Sequence, residues 1–236
     1  GFNHGVMNTD NMSILGETFD YGPYAFMETY NPNYICNHTD SQGRYSFSNQ
    51  PSIAEWNCYA LASALIDLFS ETELRDILSK FNDYFYDSLI EKFRMKLGLK
   101  SALDNDYDLL LGLFEIMEID NLDYTNTFRS LSKMISSPDD FEFSEKFSPW
   151  LTSYKERLSK DKNSIEQSIL LMEENNPKYI LRNYLAQMAI EDAEKGKSEK
   201  IDQLAKVLRN PYIDLGKSME MYCKPAPENQ QNQQLS

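Results

Sequence analysis

Basic side chains are scarce in this sequence: 23 Lys and Arg stand against 37 Asp and Glu, a net charge of −14. Affinity for a phosphate backbone draws on clustered Lys and Arg, so the balance argues against nucleic acid as a partner, and equally against anionic membrane surfaces. No stretch reaches the roughly 18 consecutive apolar residues that a transmembrane helix needs. Cysteine is sparse as well. Cys36, Cys58 and Cys223 are odd in number and far apart, which argues against a disulfide framework or a four-cysteine zinc site and favours a reducing compartment. The opening Gly1-Phe2-Asn3-His4 has the features of neither a signal peptide nor a transit peptide.

What is present suffices for a sizeable core: 236 residues, 41% of them hydrophobic and 13% aromatic. Residues 1–50 are rich in Gly, Asn, Asp, Tyr and Thr, with turn pairs such as Gly22-Pro23 and Asn31-Pro32. From Ile53 the pattern turns helical. Ile53, Trp56, Ala60, Leu61, Ala64, Leu65 and Leu68 share one helical stripe. Ser70 and Glu73 have capping-box spacing and open a long helix expected to carry Leu74, Ile77, Leu78, Phe81, Phe85 and Leu89 inward. Leu109, Leu110, Leu113, Phe114 and Met117 mark a helix ending before Asn121, and residues 136–140 read as a loop. Further helices are expected to start near Asn163, with Glu166 at capping-box spacing, and near Lys178, the latter carrying Leu181, Tyr184, Leu185 and Met188 and ended by Gly196. Ile201, Leu204, Ala205 and Leu208 form the last stripe, stopped by Pro211. From Pro225 the Gln- and Asn-rich tail has nothing to bury and is expected to be disordered. No internal repeat is visible.

The chemistry concentrates at the amino-terminal edge. His4-Gly5-Val6-Met7-Asn8-Thr9-Asp10-Asn11 leads into Met12-Ser13-Ile14-Leu15, then Gly16-Glu17, then Thr18-Phe19-Asp20-Tyr21-Gly22. Two short apolar runs around Gly16-Glu17 predict a small β-hairpin holding Asp10 and Asn11 on one side of its base and Asp20 on the other. Amide and carboxylate oxygens gathered this way suit magnesium, which takes one or two carboxylates and completes its shell with phosphate and water. Protein kinases use the same parts, a catalytic-loop Asn and the Asp of an Asp-Phe-Gly turn. Asn11 and Asp20-Tyr21-Gly22 resemble these. The residue two after His, the catalytic Asp of kinases, is here Val6, leaving Asp10 as the nearby carboxylate able to accept a proton. Taken in isolation, the same residues are also ordinary turn chemistry.

Several strings together resemble the selenoprotein O (YdiU) family: His4 to Ile14, Asp20-Tyr21-Gly22-Pro23, Ile35-Cys36-Asn37-His38-Thr39-Asp40 and Gly43-Arg44-Tyr45-Ser46. Asn49-Gln50-Pro51 with Trp56-Asn57, and Asn176-Pro177-Lys178-Tyr179-Ile180-Leu181-Arg182-Asn183, resemble it too. The likeness is dense over 1–70, returns at 176–212 and is loose between. It implies a mainly α fold, the helical large lobe of a protein-kinase-like fold with a short amino-terminal β-hairpin. It divides the chain into 1–50 (metal and catalytic loop, hairpin, activation-segment-like region), 51–223 (helical body) and 224–236 (tail). The implied activity is transfer of AMP from ATP to Ser, Thr or Tyr hydroxyls of proteins, with magnesium or manganese. Asp10 would be the proton acceptor, Asn11 and Asp20 the metal ligands, with Asp20 also near the nucleotide phosphates. The family's ATP is held inverted relative to kinases, α-phosphate toward the acceptor. A monomer is expected, cytoplasmic in a bacterium or mitochondrial in a eukaryote.

Relatives carry a small lobe with its phosphate-binding Lys before this loop, and many end in a cysteine pair where this chain has a lone Cys223. Residues 1–70 hold seven acids and one base, Arg44, so this chain alone is expected to bind a triphosphate too weakly to act as an enzyme. Two rivals stand beside AMP transfer: kinase-type phosphotransfer, and a catalytically silent fragment serving as an interaction module. Cys36-x-His38-x-Asp40 has ligand-type residues, but no second cluster completes a shell, and a hydrogen-bonded loop is favoured. Arg44 faces phosphate or a target protein, or else pairs with Asp40 or Glu28. Ser13 lacks the flanking glycines of a nucleophile elbow.

Overall fold

A computed structural model describes residues 1–137 and 144–230, and it is mainly helical. Strands β1 (Phe2–Asn3) and β2 (Ala25–Phe26) pair antiparallel, Phe2 opposite Phe26 and Asn3 opposite Ala25. Nine α-helices follow among the described residues: α1 (Gln50–Ala64), α2 (Glu71–Leu78), α3 (Phe81–Lys96), α4 (Asp106–Ile119), α5 (Tyr124–Ser136), α6 (Phe147–Ser159), α7 (Ile165–Asn175), α8 (Asn183–Glu194) and α9 (Glu199–Leu208). The chain divides into two compact units, one formed by Phe2–Met27 with Asn31–Leu89, the other by Glu28–Tyr30 with Ile90 onward.

In the second, helical unit, local signals set the helix ends. Asp123 caps α5 by accepting from Asn126 N–H at 2.8 Å. Ser164 and Gln167 form the capping box of α7, one residue later than Asn163 and Glu166. The serine wins because it sits where the backbone turns extended, and the Glu166 carboxylate bonds its hydroxyl instead. Asn121, at φ 50°, turns the chain out of α4. Gly98 follows α3 at φ 70°, and a β-carbon there would lie 2.7 Å from the Ser168 carbonyl, so the residue must be glycine. α8 begins at Asn183 rather than near Lys178, because Lys178 and Tyr179 give their N–H groups to the Pro211 carbonyl. Gly196, at φ 76°, lies just past its end as expected.

The core of this unit is aromatic. Phe93, Phe114, Tyr124 and Phe128 meet at centroid distances of 5.2 to 6.4 Å, and Tyr30 stacks on Phe114 at 4.8 Å. Two buried ion clusters lie within it. Arg157 bonds Asp106 at 2.5 Å and Asp161 at 3.3 Å, and Arg182 bonds Asp123 at 2.7 Å and also Glu28. Burial pushes the Asp161 carboxyl up, but hydrogen bonds from the Ser101 hydroxyl and from the Asn163, Ser101 and Lys100 backbone outweigh it and hold it down at about 2. Tyr179, Tyr184, Leu185, Leu204, Val207 and Tyr222 form a further apolar cluster. That cluster includes Ala226, whose N–H reaches Glu28 at 3.3 Å. The tail is therefore packed at Ala226, where disorder was expected, because its one small apolar side chain finds a pocket among tyrosines. Pro138, Asp139 and Asp140 of the expected loop, and residues 231–236 of the tail, lie outside the described residues.

The first unit is built differently. Its helices start on clear signals: Pro51 in the first turn of α1, and the capping box of Ser70 with Glu73 for α2. The long helix expected from Ser70 to Leu89 is broken at Ser79-Lys80. There the Ser79 hydroxyl bonds back to the Asp76 carbonyl and the Lys80 N–H takes Ile77, tightening the last turn until Phe81 restarts as α3. The stripes also fail to bury as expected: Ile53 is buried, but Trp56, Leu61, Leu68 and Ile77 are exposed.

Candidate active site

Strands β1 and β2 close a loop that runs from His4 to Tyr24. The expected hairpin is reduced to one bridge, Met12 with Thr18, and a turn in which Gly16 N–H reaches Ser13 O at 3.0 Å. Gly16 takes φ 75°, and the apolar Ile14 and Leu15 lie outward rather than against a sheet.

The segment His4–Asn11 is held by its backbone oxygens. Asn37 donates its side-chain amide to Gly5 O at 3.2 Å, and Asn57 donates to Met7 O at 2.9 Å. Gln50 accepts from His4 N–H at 3.0 Å and donates to Phe2 O at 3.2 Å. The Tyr45 hydroxyl donates to Asn8 Oδ1, and fully buried Asn3 ties Tyr34 O and Tyr45 O at 3.2 and 3.1 Å. Gly5, at φ 79°, packs so closely that a β-carbon would run into the Pro23 carbonyl and the Cys36 sulfur. Because buried carbonyls need partners, this ring of amides fixes a loop that has almost no regular structure of its own.

Asp10 and Asn11 lie in the single 3₁₀ turn Thr9–Asn11, and Asp10 is exposed. Asn11 donates Nδ2 to Val6 O at 3.1 Å, which commits the nitrogen end of the amide. Asp20, also exposed, accepts from Gly22 N–H through Oδ1 at 2.9 Å, a turn that leaves Oδ2 uncommitted. The Met12–Thr18 bridge joins the residue after Asn11 to the residue two before Asp20. Among the described residues no group of three or more His, Cys, Asp and Glu side chains could hold a metal ion. Asn11 and Asp20 carry an amide oxygen and a carboxylate, donor types that a hard cation takes alongside waters and phosphate oxygens.

Cys36 and Asp40 serve as loop ties, while His38 is exposed. The Cys36 thiol donates to Asn3 Oδ1 at 3.0 Å, and burial pushes it up to about 11, unsuited to metal binding as a thiolate. Asp40 accepts from the N–H groups of Arg44 and Tyr45 at 2.8 and 2.7 Å. The Arg44 guanidinium lies over the Trp56 ring at 5.0 Å and the Tyr45 ring at 5.6 Å, so its cation is placed by aromatic faces. The amide ring of Asn3, Asn37, Gln50 and Asn57 was not foreseen as a clamp. Its sequence signal is the number of Asn and Gln residues scattered through a region with a single basic residue, Arg44.

A family model described as protein adenylyltransferase SelO matches residues 1–209. Among curated proteins, the chain is 46% identical over 239 residues to a protein nucleotidyltransferase YdiU of Vibrio parahaemolyticus, covering 97% of this chain and 49% of that protein. It is 43% identical over 231 residues to the protein of the same name in Pectobacterium atrosepticum, covering 95% and 48%. The chain thus spans about half the length of the curated relatives it matches.

Proposed function

The chain belongs to the SelO protein adenylyltransferase family, and from that membership we propose that it carries the metal-binding and proton-accepting edge of a kinase-like enzyme that transfers AMP from ATP to protein hydroxyls. The observation that carries the reading is the Asn11 amide, pinned through Nδ2 so that its oxygen is the end offered to a cation. Asn11 Oδ1 and the Asp20 carboxylate would hold magnesium, with Asp20 also serving the nucleotide phosphates through it. Bound magnesium supplies positive charge against the triphosphate and offsets the charge that develops on it during transfer. Asp10 accepts the proton of a Ser, Thr or Tyr hydroxyl. The hydroxyl oxygen forms its bond to the α-phosphorus as the bond from that phosphorus to the α–β bridging oxygen breaks, and pyrophosphate leaves with the electron pair.

The amide clamps give the loop fixed geometry before substrate arrives, and catalysis of this kind is mainly positioning and electrostatics. Phosphate-binding cations are lacking in residues 1–70 apart from Arg44, whose guanidinium lies over aromatic rings. The reaction is accordingly assigned to a chain of the relatives' full length, and the 236 residues alone should bind Mg-ATP at millimolar affinity or weaker, about 4 kcal/mol or less. Mass spectrometry of a protein acceptor treated with the full-length chain tests the reading. An adenylyl adduct is expected; a phosphoryl adduct would move the assignment to ordinary kinase chemistry, and no adduct would leave the interaction-module reading.

A further inference from the structure

The six most exposed large apolar side chains among the described residues all belong to the loop-bearing unit: Ile14, Leu15, Leu68, Tyr84, Ile77 and Phe19, from 80% down to 60% accessible. Some of this surface is concave. A cavity of about 540 Å³ lies between the loop and α1, with Met12, Ile14, Leu61 and Ala64 in its lining. Asn57 lines it as well; this residue is 7% exposed and its Oδ1 is buried with no hydrogen-bond partner. Isolated surface leucines need no explanation, but a groove lined by Ile14, 80% exposed, and by Leu61, 43% exposed, marks a surface built to be covered.

The occupant is indicated by length. The curated relatives carry about as much sequence again as this chain matches, 49% of the Vibrio parahaemolyticus protein being covered. We infer that the groove between Met12–Gly16 and α1 is an intramolecular docking face, covered by the other half of the relatives' polypeptide. A polypeptide suits the groove, because its apolar side chains fill a cavity lined by Met12, Ile14, Leu61 and Ala64. The inference stands whether or not the transfer reaction is as proposed above.

The test compares the 236-residue chain with a chain of full relative length, made by joining to it the unmatched half of the Vibrio parahaemolyticus protein. Leu61→Glu changes a side chain that is 43% exposed in the lone chain, so it should leave the lone chain's unfolding midpoint nearly unchanged and lower that of the joined chain clearly. Leu170→Glu on α7, 59% exposed, is the control and should be neutral in both. Hydroxyl-radical footprinting is the second reading: Ile14, Leu15 and Leu61 should react at least several-fold less in the joined chain, while Leu170 keeps its reactivity. Equal reactivity of the groove in both chains, or an equal effect of Leu61→Glu in both, overturns the inference. Protection that appears in the lone chain as its concentration rises, and is lost with Leu61→Glu, assigns the groove to a second copy and also overturns it.

Discussion

The two units of this chain are held by opposite means. From Ile90 onward, packed aromatics and two buried ion clusters hold the helices, and single side chains such as Tyr154 and Phe128 are sealed from water. Between Phe2 and Leu89 the candidate site is held by amide side chains gripping backbone oxygens, while much of the apolar surface stays exposed. Packing fixes volumes, whereas hydrogen bonds to backbone fix directions, and the proposed aiming of an amide and two carboxylates calls for the second kind of control. The contrast also separates what can fail: core damage should show as lost stability, clamp damage as lost geometry.

The largest effect is expected in the helical unit. Arg157→Ala would strand the carboxylate of Asp106, which is 1% exposed, and should destabilise the chain by about 3–5 kcal/mol in urea unfolding. An effect below about 1 kcal/mol would mean that buried charge does not anchor this unit. Asp10→Ala comes next and acts on rate alone. In a chain of full relative length, AMP transfer should fall by about 100-fold or more with Mg-ATP binding retained. Unchanged turnover would place the proton acceptor elsewhere.

Asn57→Ala sharpens the contrast from the other side. It removes the donors to Met7 O and Ile53 O, a local loss of about 1–3 kcal/mol. Hydrogen exchange should speed up over His4–Asn11 while the amides of α4 and α5 keep their protection. Loss of protection throughout would show that the clamp is a general stabiliser. The smallest effect is that of acid. Asp161 is held at about 2, below the carboxylate's ordinary 3.8, so its contribution is present above that ordinary value and is lost as pH falls from about 4 toward 2. Asp161→Asn should flatten the fall of the unfolding midpoint across that window; an unaltered slope would contradict the assignment.

Which parts of this were legible in the sequence follows the same division. Helical periodicity found the body, and caps that depend on nearest neighbours, such as Ser70 with Glu73 and Gly196, appear where expected. Periodicity identified the stripe through Leu61 and Leu68 but could not say what it packs against, because a stripe meant for another segment has the same spacing as one meant for the core. The break at Ser79 depends on a hydroxyl choosing the Asp76 carbonyl, a competition that pattern cannot rank. Asp10, Asn11 and Asp20 stood out by residue type. Their clamps did not, since Asn57 acts across 50 residues of sequence and Asn37 across 32.

The central proposal is that the edge bearing Asp10, Asn11 and Asp20 transfers AMP. It is tested most directly by incubating a chain of full relative length, magnesium and a protein acceptor with ATP labelled either at the α- or at the γ-phosphate. Label should pass to protein from the α-position only, and Asp20→Ala should abolish it. Transfer from the γ-position, or α-transfer that survives Asp20→Ala undiminished, would contradict the account.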